Sequence, residues 1–341
     1  MTTIRRDSFM PTATYTNPIY QQDFPDPCIL RTLGGLYAYG SQGMTSGGMH
    51  NIQVAFSQDG ITWDARGDAL PTKAIWAADQ DYWAPHVVRK GDTYFLFYNA
   101  KTGRAGQGIG LAISLSPEGP FVDSGQPLVY GESYINIDAY VFLDASDNRW
   151  WMCWGSCYEP IKLREMDASL LNFAANSIVI EILAPEAEHA FARLHEAAWI
   201  HTRFDQNLQK TFYYLYTSGA DAFGIESYGI MVARSRQVTG PYQTLAQARE
   251  LSDSVILRSN ERFMNPGAHA LFTDDTHQEW LLYHAYEREG LHIDSATLRR
   301  TPRVLMLDAL DYDEDGWPYM RTGAPSTQSE MKPTFLQETE D

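Results

Sequence analysis

Cysteine is scarce in this chain, with Cys28, Cys153 and Cys157 the only three in 341 residues. An odd count in a chain this long is not a disulfide framework, and Cys153-Trp-Gly-Ser-Cys157 is neither a redox CxxC nor a paired zinc knuckle. All three are expected to be inert thiols on strands. Basic residues are also few: 26 Lys+Arg against 43 Asp+Glu leave a net charge of −17. Such a surface repels phosphate backbones and anionic headgroups, so neither nucleic acid nor an acidic membrane is expected as a partner. No apolar run is long enough for a spanning helix. The first twenty residues, MTTIRRDSFMPTATYTNPIY, carry two arginines but no apolar core or small-residue cleavage site of a secretion signal. The expected compartment is therefore the cytoplasm. Helical periodicity is almost missing too, apart from a turn or two around 243–250.

What the chain does contain is ordinary globular material, 44% hydrophobic and 20% charged, and enough length to bury a core without covalent staples. Aromatic residues, 13% of the total, gather in short strand-like runs that follow polar turns. The runs are GGLYAYGS at 34–41, KGDTYFLFYNA at 90–100, DNRWWMCWGS at 147–156, QKTFYYLYTS at 209–218 and HQEWLLYHAY at 277–286. The last aromatic before each small or polar step is Tyr39, Tyr98, Trp154, Tyr216 or Tyr283, at spacings of 59, 56, 62 and 67. A second unit recurs three times, an apolar strand ending in Ser, a tight turn and then an aromatic: VAFSQDGITW, LAISLSPEGPF and VARSRQVTGPY.

A repeat of roughly 60 residues with several short strands and Gly, Pro and Asp turns suits a four-stranded propeller blade. The sequence predicts an all-β fold, a single five-bladed β-propeller over 17–320. Residues 1–16 would form an extension, and 321–341 a polar tail expected to fray.

In a propeller the first strand of each repeat is innermost, so residues at matched phase converge on one axis. Upstream of the five aromatic anchors stand Asp26, His86, Asp138, Glu196 and His269, at 13, 12, 16, 20 and 14 residues respectively. Singly, an Asp before Pro is a turn residue and a strand His is a core side chain. Three acids recurring at one phase are different, because burying them together raises at least one pKa and is unfavourable unless a site uses it. Two carboxyls across a sugar, one protonated and one ionised, are what glycoside hydrolysis needs. Phe24, Trp83 and Trp199 lie close by in sequence and are expected to offer apolar faces to a sugar ring.

In order and spacing, NPIYQQDFPDP, YWAPHV, IDAYVF, HEAAWI and the closing DYDEDGWP resemble glycoside hydrolase family 43, over nearly the whole chain. That family comprises five-bladed propeller enzymes, among them α-L-arabinofuranosidases, arabinanases and β-xylosidases. The resemblance implies that Asp26 is the general base, Glu196 the general acid and Asp138 the residue that tunes and orients the acid. It also implies inversion at the anomeric carbon. His86 and, more weakly, Arg303 would join Phe24, Trp83 and Trp199 as substrate-binding residues.

The chain departs from the family in the fifth blade, where Gly267-Ala268-His269 replaces a Gly-His step whose His binds a central metal or its water shell. Strand alternation would turn His269 to the other face. A structural calcium at the axis, expected near His269, would then rest on water or other groups, and no cofactor is needed for the chemistry.

The expected activity is release of terminal sugars, α-L-arabinofuranose by the resemblance, from plant-derived oligosaccharides, which are the expected partner. The exo mode and short substrates follow from the expected compartment, which a polymer does not enter, and their neutrality from the −17 charge, which disfavours polyuronic chains. A β-xylosidase or an endo-arabinanase would use the same acids, and a non-catalytic sugar- or protein-binding propeller is the alternative of another class. The segments 181–195 and GSQGMTSGGMH at 40–50 are expected to close one side of the funnel.

Overall fold

The computed structural model describes residues 13–102, 106–222, 227–293 and 300–335. Five antiparallel sheets follow one another along the chain, each made from one continuous stretch. Blade 1 runs through Cys28–Thr32, Gly35–Gly40, Gln53–Ser57 and Asp64–Asp68. Blade 2 contains Trp83–Lys90, Thr93–Lys101 and Gly106–Ser114, with the short strands Val122–Asp123 and Val129–Glu132 both paired to the third. Blade 3 comprises Tyr140–Asp144, Arg149–Trp154, Ile161–Met166 and Ile180–Leu183. Blade 4 comprises Glu196–Asp205, Lys210–Ala220 and Tyr228–Ser235, with Gln243–Thr244 and Val255–Leu257 along its outer edge. Blade 5 comprises Phe263–Thr273, Glu279–Glu287, Arg303–Tyr312 and Pro318–Tyr319. This is the five-bladed, nearly all-β propeller that the repeat predicts.

All five aromatic anchors fall on second strands and all are buried. Their polar tips find partners, as buried Tyr and Trp require. Tyr39 donates to the Pro117 carbonyl at 2.7 Å, Tyr98 to Asp123 at 2.6 Å, Trp154 to Asn136 at 3.0 Å and Tyr283 to Asp308 at 2.6 Å. The second recurring unit also has a physical reason. Ser57, Ser114 and Ser235 each end a third strand, and each hydroxyl accepts a backbone N–H two or three residues on, from Gly60, Ser116 and Gln237 respectively. The aromatics that follow, Trp63, Phe121 and Tyr242, are buried as the chain turns back against the blade.

The one described α-helix, Leu245–Arg249, is a single turn held by a capping box between Thr244 and Gln247. Segments outside 17–320 join the ring as well. Thr14–Tyr15 pair with Glu330–Met331, and Phe335 stacks on Phe272 with Arg31 over its ring. The segment expected to fray is therefore tied down as far as Phe335, because it carries an apolar ring that the blade 5 to blade 1 seam can bury.

Candidate active site

Each innermost strand carries a left-handed residue at matched phase: Asp26 (φ 53°) and Asp138 (61°) two residues before Cys28–Thr32 and Tyr140–Asp144, Ala84 (42°) and Ala197 (50°) second in Trp83–Lys90 and Glu196–Asp205, and Ala268 (44°) within Phe263–Thr273. None is glycine, so each position carries strain of about 1–2 kcal/mol that its surroundings must hold. The restraint comes from the preceding blade. Ala84 N–H donates to Ser41 Oγ at 2.8 Å, Ala268 N–H to Ser218 Oγ at 2.9 Å, Ala197 N–H to Asp138 Oδ2 at 2.8 Å and Asp26 N–H to His284 Nδ1 at 3.1 Å. A ring of blade-to-blade hydrogen bonds thus surrounds the mouth of the funnel, and the three acids belong to it.

Asp26 accepts from Ser41 Oγ at 2.5 Å and from Arg303 Nη1 at 3.0 Å. Asp138 also accepts from Asn99 Nδ2 at 3.4 Å. Burial, and after it the charges of Glu196 and Asp26, pushes the Asp138 carboxyl well above the usual range. Glu196 accepts from Tyr228 OH at 2.7 Å and Ser156 Oγ at 2.8 Å. Its pKa is raised by burial and, less strongly, by the charges of Asp26 and Asp221, against the pull of those two hydroxyls. The three carboxyls share one electrostatic neighbourhood, as their matched phase predicts. Ser41, Asn99, Ser156, Ser218 and His284 escaped the sequence reading. Each is the small or polar step one or two residues after an aromatic anchor, which was the available signal.

Two residues beyond the left-handed heads the same strands form a floor. Cys28 Sγ lies 3.4 Å from His86 Nδ1. The His86 ring meets Tyr140 at 4.6 Å and Trp199 at 5.7 Å, and Tyr140 and Trp199 are 4.2 Å apart. His86 Nε2 lies 2.8 Å from the Val141 carbonyl, and burial lowers the pKa of this histidine to about 4. The expectation that His86 and Trp199 touch sugar is therefore corrected, since both are buried in this floor and His86's nitrogens are already engaged. Phe24 is corrected likewise. It is 1% exposed, packs edge-on against Tyr20 at 5.8 Å and sits so close to Gly40 that a Cβ there would lie 3.1 Å from its ring.

Trp83 is the expected aromatic that does lie at the rim. It is partly exposed and stacks at 6.0 Å on Tyr134, itself 46% exposed. Arg303, read as a substrate contact, is 19% exposed and forms an ion pair with Asp26. Cys28 and Cys153 are buried strand thiols, and burial pushes Cys28 up to about 12, but Cys157 lies in a turn rather than on a strand.

Of the two segments expected to close the funnel, 181–195 begins in the outer strand of blade 3, Ile180–Leu183, and its remainder docks instead along blade 4, with the Phe191 and Leu194 carbonyls against Gly219. His189 Nδ1 lies 3.2 Å from the Ser252 carbonyl, and Gln247 donates to Glu186. The other folds as the hairpin Gly43–Thr45 with Gly48–His50 and follows directly from Ser41, which holds Asp26. His269 is wedged between blades 4 and 5, with Nδ1 at 3.3 Å from Ser218 Oγ and its ring edge-on to Tyr216. Among the described residues no three His, Cys, Asp or Glu side chains group so as to hold a metal ion. His269 offers nitrogen where calcium takes oxygen, so the side chains present do not fit a protein-liganded calcium.

Comparison with known proteins agrees with the fold. Extracellular exo-alpha-(1->5)-L-arabinofuranosidase ArbA of Cellvibrio japonicus (strain Ueda107) is 24% identical over 295 residues, 78% of this chain and 79% of its own length. A probable arabinan endo-1,5-alpha-L-arabinosidase A of Aspergillus oryzae (strain ATCC 42149 / RIB 40) is 26% identical over 311 residues, 86% of this chain and 89% of its own. The crystal structure of a thermostable family-43 glycoside hydrolase superposes with a TM-score of 0.75 at 22% identity, covering 95% of this chain and 100% of that one. The family model described as glycosyl hydrolases family 43 matches residues 15–318, and the chain belongs to that family.

Proposed function

We propose that this chain is an inverting exo-glycosidase that removes terminal α-L-arabinofuranose from short neutral oligosaccharides. The observation that carries the reading is that Asp26, Asp138 and Glu196, from the innermost strands of blades 1, 3 and 4, belong to one hydrogen-bonded ring and act on one another's charge. Asp26, ionised beside Arg303, takes the proton of an attacking water. Glu196 delivers a proton to the departing glycosidic oxygen from the other side of the sugar, an arrangement needing carboxyls about 6.5–9.5 Å apart.

The proton belongs on Glu196 rather than Asp138 because of their partners. Asp138 faces two N–H groups, which only donate and so favour its anion. Glu196 faces two hydroxyls, which can turn and accept. The two carboxyls interact, so with the pair's proton on Glu196 the charge left on Asp138 resists a second ionisation beside it, the same repulsion by which Glu196 raises Asp138. Trp83 and Tyr134 supply a stacking surface at the rim.

Likeness to the Cellvibrio exo-arabinofuranosidase and the position of the 43–50 hairpin beside the base support removal of single sugars. Likeness to the Aspergillus endo-acting protein supports a second reading, an open groove cutting within arabinan. Aryl α-L-arabinofuranoside, β-D-xyloside and β-D-galactofuranoside, with the released anomer followed by proton NMR, separate the substrates. The expected result is arabinose released first as the inverted anomer. Release of the retained anomer overturns the roles of Asp26 and Glu196, and early di- and trisaccharides from arabinan oligosaccharides establish the endo reading.

A further inference from the structure

His284 lies outside the three acids, on the second strand of blade 5, and is 1% exposed. Its Nδ1 receives the Asp26 N–H at 3.1 Å and stands 3.4 Å from Asp26 Oδ1. A nitrogen that accepts an N–H carries a lone pair, so the ring proton is on Nε2, which has no hydrogen-bond partner among the described residues. Burial, followed by the neighbouring Arg303 charge, lowers the His284 pKa to about 3 and keeps the ring neutral at working pH. One face of the ring stacks on Tyr228 at 6.3 Å and 8°, and it is Tyr228 whose hydroxyl donates to Glu196. Tyr228 reaches this place across Gly267, where any Cβ would run into its ring.

Base and acid are therefore joined through two stacked rings, and we infer that His284 is a positioning residue for both: its Nδ1 holds the left-handed backbone of Asp26, and its face steadies the Tyr228 hydroxyl on Glu196. The inference rests on the assignment of Asp26 as base and Glu196 as acid. Its two functions reside in different parts of one side chain and can be removed separately. Phenylalanine keeps the ring face and loses the acceptor, whereas asparagine places an oxygen near the Nδ1 position and loses the face.

The test compares His284→Phe, His284→Asn and Asp26→Asn on an aryl arabinofuranoside with a good leaving group and on an arabino-oligosaccharide, with folding checked by thermal unfolding. Folded His284→Phe should lose kcat by about 10²-fold on both substrates with KM little changed, as a displaced base requires. His284→Asn should keep most aryl-glycoside turnover, while the alkaline limb of its pH profile moves upward as Tyr228 loosens its hold on Glu196. Nitrogen NMR of the wild type should show the Nε2–H tautomer.

An Nδ1–H tautomer overturns the inference. So does a folded His284→Phe with wild-type kcat while Asp26→Asn is inactive. Where His284→Phe does not fold, an asparagine variant as inactive on the aryl glycoside as Asp26→Asn overturns it equally. An active Asp26→Asn instead overturns the underlying assignment of the base.

Discussion

The heads of the innermost strands and the floor two residues below them are built from the same five strands and behave in opposite ways. The heads, Asp26, Ala84, Asp138, Ala197 and Ala268, are strained and held from the preceding blade. At the floor positions stand Cys28, His86, Tyr140, Trp199 and Ala270, of which the four larger side chains meet ring on ring or sulfur on ring and His86 satisfies its nitrogens locally. Burial acts on ionisable groups in both layers and always favours the neutral form, lowering His86 to about 4 and raising Asp138 and Glu196. In the floor this yields an inert imidazole, but beside an aqueous funnel it yields an acid with a proton to give. Chemistry thus depends on the registration of one blade against the next, and stability on the plug beneath.

The largest effects should come from the heads. Asp26→Asn is expected to lose roughly 10²- to 10⁴-fold in kcat/KM on every substrate, with thermal unfolding little changed. Glu196→Gln should lose as much on oligosaccharides but keep far more activity on aryl glycosides, whose leaving groups need little protonation. Equal losses on both substrate types would show that Glu196 is not the acid.

The floor should respond the other way. Trp199→Ala removes the ring packed on Tyr140 and His86 and should destabilise the fold by about 3–5 kcal/mol in urea unfolding. Activity per folded molecule should fall far less than in Asp26→Asn. A stable but inactive Trp199→Ala would erase the division between the two layers.

Much of this was legible in the sequence because a propeller repeats. The aromatic anchors located the second strand of each blade, and phase then brought Asp26, Asp138 and Glu196 to one mouth. Phase could not say which of two adjacent layers a residue enters. His86 and Trp199 are only two positions past the left-handed heads, and both fell into the floor. That difference is set by a positive φ and local register shifts at Trp83/His86 and Glu196/Trp199, which no side-chain pattern announces. Phe24 was misread for a related reason, since what seats it is the close approach of Gly40 on the next strand of its own blade, a backbone contact rather than a side-chain pattern. The ring-forming Ser41, Asn99, Ser156, Ser218 and His284 were present as punctuation after each anchor, but their partners lie on the next blade.

The smallest expected effects are also the most discriminating, because two changes beside Glu196 should move its titration in opposite directions. The negative charges of Asp138 and Glu196 repel, so Asp138→Asn lets Glu196 ionise earlier. The alkaline limb of kcat/KM, which reports loss of the protonated acid, should then shift to lower pH. Tyr228 acts with the reverse sign, since its hydroxyl stabilises the Glu196 anion and lowers the pKa. Tyr228→Phe removes that donor, so Glu196 stays protonated longer and the limb should move to higher pH. A hydrogen bond to a charged group is worth about 1.5–3 kcal/mol, which corresponds to a shift of roughly one to two pH units. The two profiles, measured on an oligosaccharide whose leaving group needs the proton, should bracket that of the wild type. Limbs displaced in the same direction would mean that a group other than Glu196 titrates there, and the proton donor would then have to be sought elsewhere in the ring.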